Sequence, residues 1–133
     1  MRYLFLLVFS IIGFTNVLAQ NTTPQISWEF ETVEDSLNIP RTAIYVVVNK
    51  KKTLVVKEGM GNFSELEKKL FTQSQYQIPK NAISACTGFW AGLGHQVCVV
   101  PKGKVLEVKE GFLDAESPRG TKVRYKTIKT ITP

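Results

Sequence analysis

One histidine and two cysteines are the only imidazole and thiol ligands in a chain of 133 residues. A structural or catalytic zinc site needs about three or four such groups, so no metal site is expected. Gly-x-Ser-x-Gly, P-loop, His-Glu-x-x-His and EF-hand patterns are all missing, and with them the common hydrolase, nucleotide and calcium chemistries. No cofactor is expected, no catalytic residue is assigned, and the expectation is a protein that is not an enzyme. Internal repeats and low-complexity tracts are also missing. Past residue 20 there is no long apolar run, so the mature chain should carry no membrane span. What remains is ordinary: 44% apolar and 21% charged residues, the composition of a folded domain with a core.

The first 20 residues read differently from the rest. Arg2 supplies a positive start, and Tyr3 to Phe14 form an apolar stretch interrupted by Ser10 and Gly13. Val17-Leu18-Ala19 places small or apolar residues where a signal peptidase cuts. A run of about 12 apolar residues is short for a membrane span of roughly 20. Residues 1–19 are therefore expected to be a signal peptide and residues 20–25 a flexible lead-in. Residues 26–133 should form a single domain in a secreted or periplasmic protein.

The formal net charge of +6 is unevenly placed. Residues 21 to 49 hold Glu29, Glu31, Glu34 and Asp35 against Arg41 alone, while residues 50–69 and 102–133 carry the positive excess. A basic exported surface suits an extracellular protein or an anionic polymer as partner, and export makes nucleic acid unsuitable.

Ile26, Trp28 and Phe30 alternate with polar residues, which predicts a half-buried strand. Thr42 to Val48 is β-branched and apolar, and Thr53 to Lys57 returns as its partner. Lys50-Lys51-Lys52 should sit at the tip between them. Ser64-Glu65-Leu66-Glu67 matches a capping box, and Leu66 and Leu70 share a helical face. A short helix is therefore expected over 65–74. Strands are expected over 81–90, 95–100, 104–112 and 121–131. The fold class that follows is α+β, with one short helix on a mostly antiparallel sheet of about six or seven strands.

Cys86 and Cys98 are read as a disulfide. A three-residue loop, Ala91 to Leu93, would put Trp90 opposite Gly94 and the two cysteines directly opposite each other. Closing that loop would stabilise the fold by about 3 kcal/mol. A four-residue loop would shift the pairing by one and turn the two side chains to opposite faces, and a G1-type bulge at Gly94 would reconcile the two cases.

Phe89-Trp90-Ala91-Gly92-Leu93-Gly94 is the most distinctive stretch. Adjacent aromatics in a strand point to opposite faces, so one of them can be exposed beside a glycine loop. The expected binding residues are Trp90, Gly92 and Gly94, with Lys50, Lys51 and Lys52 as a second contact. Two other readings stay open. A secreted inhibitor could block a hydrolase cleft with this hairpin, and its positive charge would favour an acidic target over a cationic lysozyme. A small hydrolase could use Asp114 and Glu116 of the acidic loop with His95. Asn21-Thr22-Thr23 and Asn62-Phe63-Ser64 match the N-glycosylation sequon, and Asp35-Ser36-Leu37 resembles an O-glycosylation site of some Bacteroidota.

The run SACTGFWAGLGHQVCVV, followed by GKVLEVKEGFLD and YKTIKTI, resembles a group of small, uncharacterised secreted bacterial proteins. In these an A-C-x-x-W-W-A-G-x-G hairpin precedes a strand and an acidic loop. The resemblance covers about residues 82 to 131. Phe89-Trp90 stands where the pattern has two tryptophans, and His95 where it has an acid. It implies neither an activity nor site residues.

Overall fold

Residues Pro40–Val48 alternate buried and half-buried along their whole length. Period-2 alternation means one face of the strand is covered and the other partly wet. The covered face carries Thr42, Ile44, Val46 and Val48. That strand is the middle of a three-stranded antiparallel sheet in the computed structural model, which describes residues 23–133 apart from 72, 74 and 119. The expected signal peptide lies outside the described residues. Of the lead-in, Gln25 is already held, since its backbone N–H donates to Asn49 Oδ1 at 3.0 Å.

Among the described residues, eight strands make up two sheets. The first sheet has the order β1 (Ile26–Glu34), β2 (Pro40–Val48), β3 (Lys51–Met60). The second has the order β4 (Asn62–Glu65), β5 (Ser84–Trp90), β6 (Leu93–Lys102), β7 (Val105–Asp114), β8 (Lys126–Ile131). Every pairing is antiparallel.

The two sheets pack face to face. Trp28, Ile44, Val46 and Val48 from one meet Phe63, Cys86, Val97, Val99, Leu106 and Val108 from the other. Trp28 also donates its indole N–H to Ser84 Oγ at 2.7 Å, a buried polar link across the core. The far face of the second sheet is covered by the connection between β4 and β5. Leu66, Phe71, Ile78 and Ala82 of that connection lie on Ala85, Cys98 and Val100. The central strand β6 is therefore buried on both faces from Gly94 to Val100.

The chain crosses between sheets at Gly61. Its φ of +82° suits glycine, and a Cβ there would lie 2.5 Å from the carbonyl oxygen of Phe89. Gly61 donates its N–H to Pro40 O at 3.0 Å, which anchors the corner.

Two expectations are overturned. The fold is nearly all-β, not α+β: no α-helix is present among the described residues, only one 3-10 turn at Lys68–Leu70. Ser64 and Glu65 pair as strand with Thr87 and Cys86 instead of opening a helix. A one-turn helix nucleus is costly, whereas β4 covers the edge of β5 and buries Phe63 in the core. The disulfide is also overturned. The β5–β6 turn has two residues, Ala91 and Gly92, both with positive φ (49° and 86°). Trp90 thus faces Leu93, Cys86 faces Val97 and Cys98 faces Ala85. The cysteines point to opposite faces, one into each core, and both are free.

Candidate functional site

The end of the second sheet that carries the β5–β6 turn gathers most of the distinctive chemistry. The turn is fastened, because Ala115 donates its N–H to Gly92 O at 2.7 Å. All three exposed aromatics of the described residues are here: Phe89 (63% exposed), Trp90 (41%) and Phe112 (47%). Strand alternation sends Trp90 and Phe112 to the face shared with His95, and Phe89 to the opposite face.

His95 lies between two aromatic rings. Phe112 stacks on it at 4.2 Å between centroids, and Phe63 meets it edge-on at 5.3 Å. Nδ1 accepts a long hydrogen bond from the Met60 backbone N–H at 3.4 Å. That leaves the proton on Nε2, which donates to Glu110 Oε2 at 3.0 Å. Lys126 Nζ approaches the other Glu110 oxygen at 3.5 Å. Burial lowers the His95 pKa, and the Glu110 hydrogen bond opposes it. The ring is therefore neutral at pH 7. Both ring nitrogens are engaged, and the link ties β3 of one sheet to β6 and β7 of the other.

The acidic loop does not join this histidine. Asp114 pairs with Leu93 across the ladder, and its Oδ1 accepts the Glu116 backbone N–H at 2.9 Å. Asp114 and Glu116 are exposed, whereas His95 is buried against Glu110. Glu110 and Phe112 belong to this candidate site, and sequence reasoning missed them. The signal was present in Gly103: a two-residue Gly103-Lys104 turn sets Lys102 opposite Val105, and that register puts His95 opposite Phe112.

The opposite face of the same sheet end holds a cleft of about 490 Å³. Thr87, Gly94 and Gln96 form its floor, with Phe89, Tyr76 and Leu113 around them. Among the described residues no lining residue is charged. Gln96 is only 2% exposed, and its Oε1 has no hydrogen-bond partner among the described residues.

Of the expected binding residues, Trp90, Gly92 and Gly94 lie together at this end. The lysines do not. Asn49 and Lys50 form the β2–β3 turn, both with positive φ, and Lys51 and Lys52 already belong to β3. Met60, which touches His95, is at the far end of that strand, so about 30 Å of extended chain separates the two groups. Lys52 is also engaged, 2.8 Å from Glu29 Oε2 and 4.2 Å over the Tyr45 ring. The Glu29 contact raises its pKa. Among the described residues no cluster of three or more His, Cys, Asp or Glu side chains could hold a metal ion. Nor is any helix there long and apolar enough to cross a membrane.

No protein-family model, curated protein or solved structure matches this chain.

Proposed function

We propose that this chain is a non-enzymatic binding protein of an exported compartment, and that it holds a protein partner through Trp90 and Phe112. The observation that carries this reading is the placement of these two half-exposed aromatics on one face of one sheet end. Large aromatic side chains supply most of the energy of compact interfaces. Here the platform beneath them is stiff. Phe112 rests on the His95 ring, and the turn after Trp90 is held by the Ala115 to Gly92 hydrogen bond. A preformed surface loses little freedom on binding.

The exported setting rests on Met1 to Ala19, whose charge, apolar stretch and small-residue end match a secretory signal. The lysine turn is too distant to share a compact contact with Trp90, so an anionic polymer would engage a different end of the molecule.

The test compares the wild type with Trp90→Ala and Phe112→Ala as immobilised bait for the proteins of the source's extracellular fraction. The expected result is a partner retained by the wild type and lost by both variants, with all three proteins melting within a few degrees of one another. Capture that survives both substitutions, or that disappears only because the variants unfold, would overturn the reading.

A further inference from the structure

The two sheets carry edges of opposite charge on opposite flanks of the molecule. We propose that β1 of one molecule docks the basic segment 122–131 of a second copy of this chain, so that copies associate head to tail. The contact goes beyond the protein partner held by Trp90 and Phe112, and it uses neither residue.

The first support is the open edge. Among the described residues β1 pairs with β2 alone, over nine residues in unbroken register. Asn49 donates its N–H to Gln25 O at 2.9 Å, which fixes the phase of that ladder. The backbone groups of Ser27, Glu29, Glu31 and Val33 therefore point to β2, and those of Trp28, Phe30 and Thr32 point away from it. Natural edges are blunted by proline, lysine or a bulge, and Ile26–Glu34 has none of these. At the far end of the second sheet β8 likewise pairs with β7 alone among the described residues.

The second is charge. Residues 26–35 hold Glu29, Glu31, Glu34 and Asp35 and no basic residue, while residues 122–131 hold Lys122, Arg124, Lys126 and Lys129 and no acid. Glu31, Glu34, Lys122, Arg124 and Lys129 enter no ion pair among the described residues. The spacing also agrees. Val123 and Tyr125 pack against Gly111, so Lys122, Arg124 and Lys126 alternate to the exposed side with the same period of two as Glu29 and Glu31. Opposite charges so placed attract across neighbouring strands, and like charges repel. Two β1 edges therefore repel each other, as do two basic segments. The β3 edge is a poorer match for β1, because it carries Glu58 and its Lys52 is held by Glu29.

The third is position. β1 crosses over β4 and β5, whereas β8 lies beyond β6 and β7. The two edges face away from each other, so one molecule cannot close them on itself. A neighbour can, and each contact leaves one β1 and one basic segment open for the next copy.

Sedimentation of the exported protein tests the contact. At low ionic strength the average mass is expected to rise with concentration past that of a dimer, and to return to the monomer in about 0.5 M salt. The double variants Glu31→Lys/Glu34→Lys and Lys122→Glu/Arg124→Glu, all at exposed positions, should each weaken association about tenfold. An equimolar mixture of the two should pair, because each keeps the half that the other has lost. Thr32→Pro removes an N–H that points away from β2 and should block docking with every charge in place. Trp90→Ala should associate as the wild type does. The proposal is overturned if the wild type stays monomeric at low salt, if its mass stops at a dimer, or if either charge variant or Thr32→Pro associates normally. Failure of the mixture to pair, or loss of association in Trp90→Ala, would overturn it equally.

Discussion

Cys86 and Cys98 belong to paired strands, yet their side chains enter two different cores on opposite faces of one sheet. No rotamer change can bring the sulfurs together, because strand alternation separates them by the sheet itself. Burial pushes both thiols up, Cys98 to about 12, so neither is a ready nucleophile. The native protein should contain two free thiols that resist a thiol reagent until denaturant is added. Oxidative refolding should leave its mass unchanged. A native product lighter by two hydrogens would mean that the β5–β6 register is wrong.

Ala91 adopts φ +49°, a region that favours Asn and Gly over Ala. The two-residue turn it forms with Gly92 is the kind for which Asn-Gly is preferred. Ala91→Asn should therefore stabilise the fold by about 0.5–1 kcal/mol, raising Tm by several degrees. Gly92→Ala, at φ +86°, should cost about 1 kcal/mol. Thermal melts of the two variants should move in opposite directions. A shared direction would exclude this turn geometry.

Gly88 has no room for a side chain. A Cβ would stand 2.5 Å from the Phe63 ring and 2.8 Å from the Met60 carbonyl oxygen. The ring could tilt, but the backbone of β3 would also have to yield. Gly88→Ala should cost about 1–3 kcal/mol, read from urea midpoints at constant slope. Wild-type stability in this variant would show that the two sheets are farther apart at this point.

His95 should make stability depend on pH. Its folded-state pKa lies below the ordinary value of 6.5, with burial as the main cause. The unfolded chain therefore takes up a proton more readily than the folded one as pH falls. The histidine's contribution is fully present above about pH 6.5 and is lost as pH falls through the lower, folded value. Protonation would also set an Nδ1–H against the Met60 N–H that it now accepts. Glu110 faces the ring and Lys126 faces Glu110, so their charges set the depth of the effect. Urea midpoints should decline from pH 7 to pH 5, and His95→Gln should flatten that decline. An equal decline in the variant would assign the acid sensitivity to other groups.

Much of the strand content could be read directly from residue order. Trp28 and its alternating neighbours, and the β-branched run ending at Val48, lie in strands as expected, because burial of one face imposes a period of two. The helix expected over 65–74 shows the limit of local reasoning. Ser64, Glu67, Leu66 and Leu70 satisfy the helical pattern, yet Phe63 is drawn between Phe30 and His95, and that position requires strand pairing with β5. The gain from burying Phe63 between two sheets exceeds the small preferences of a capping box.

The candidate site was legible in composition and not in geometry. Trp90, Gly92 and Gly94 stand out in the sequence because aromatics beside glycines are informative wherever they occur. Glu110 and Phe112 do not stand out, since each acquires its role only from the residue placed against it.

Residue order alone therefore determined most of the strand segments, β4 excepted, the thin catalytic inventory and the clustering of aromatics beside a glycine turn. These are properties of single side chains and of short-range periodicity. The tertiary structure decided the rest: which cysteine faces which core, whether His95 meets Glu110 or Asp114, and which side of the hairpin is hollow. Each of these depends on register, and a shift of one residue in a two-residue turn inverts every face of the strand that follows.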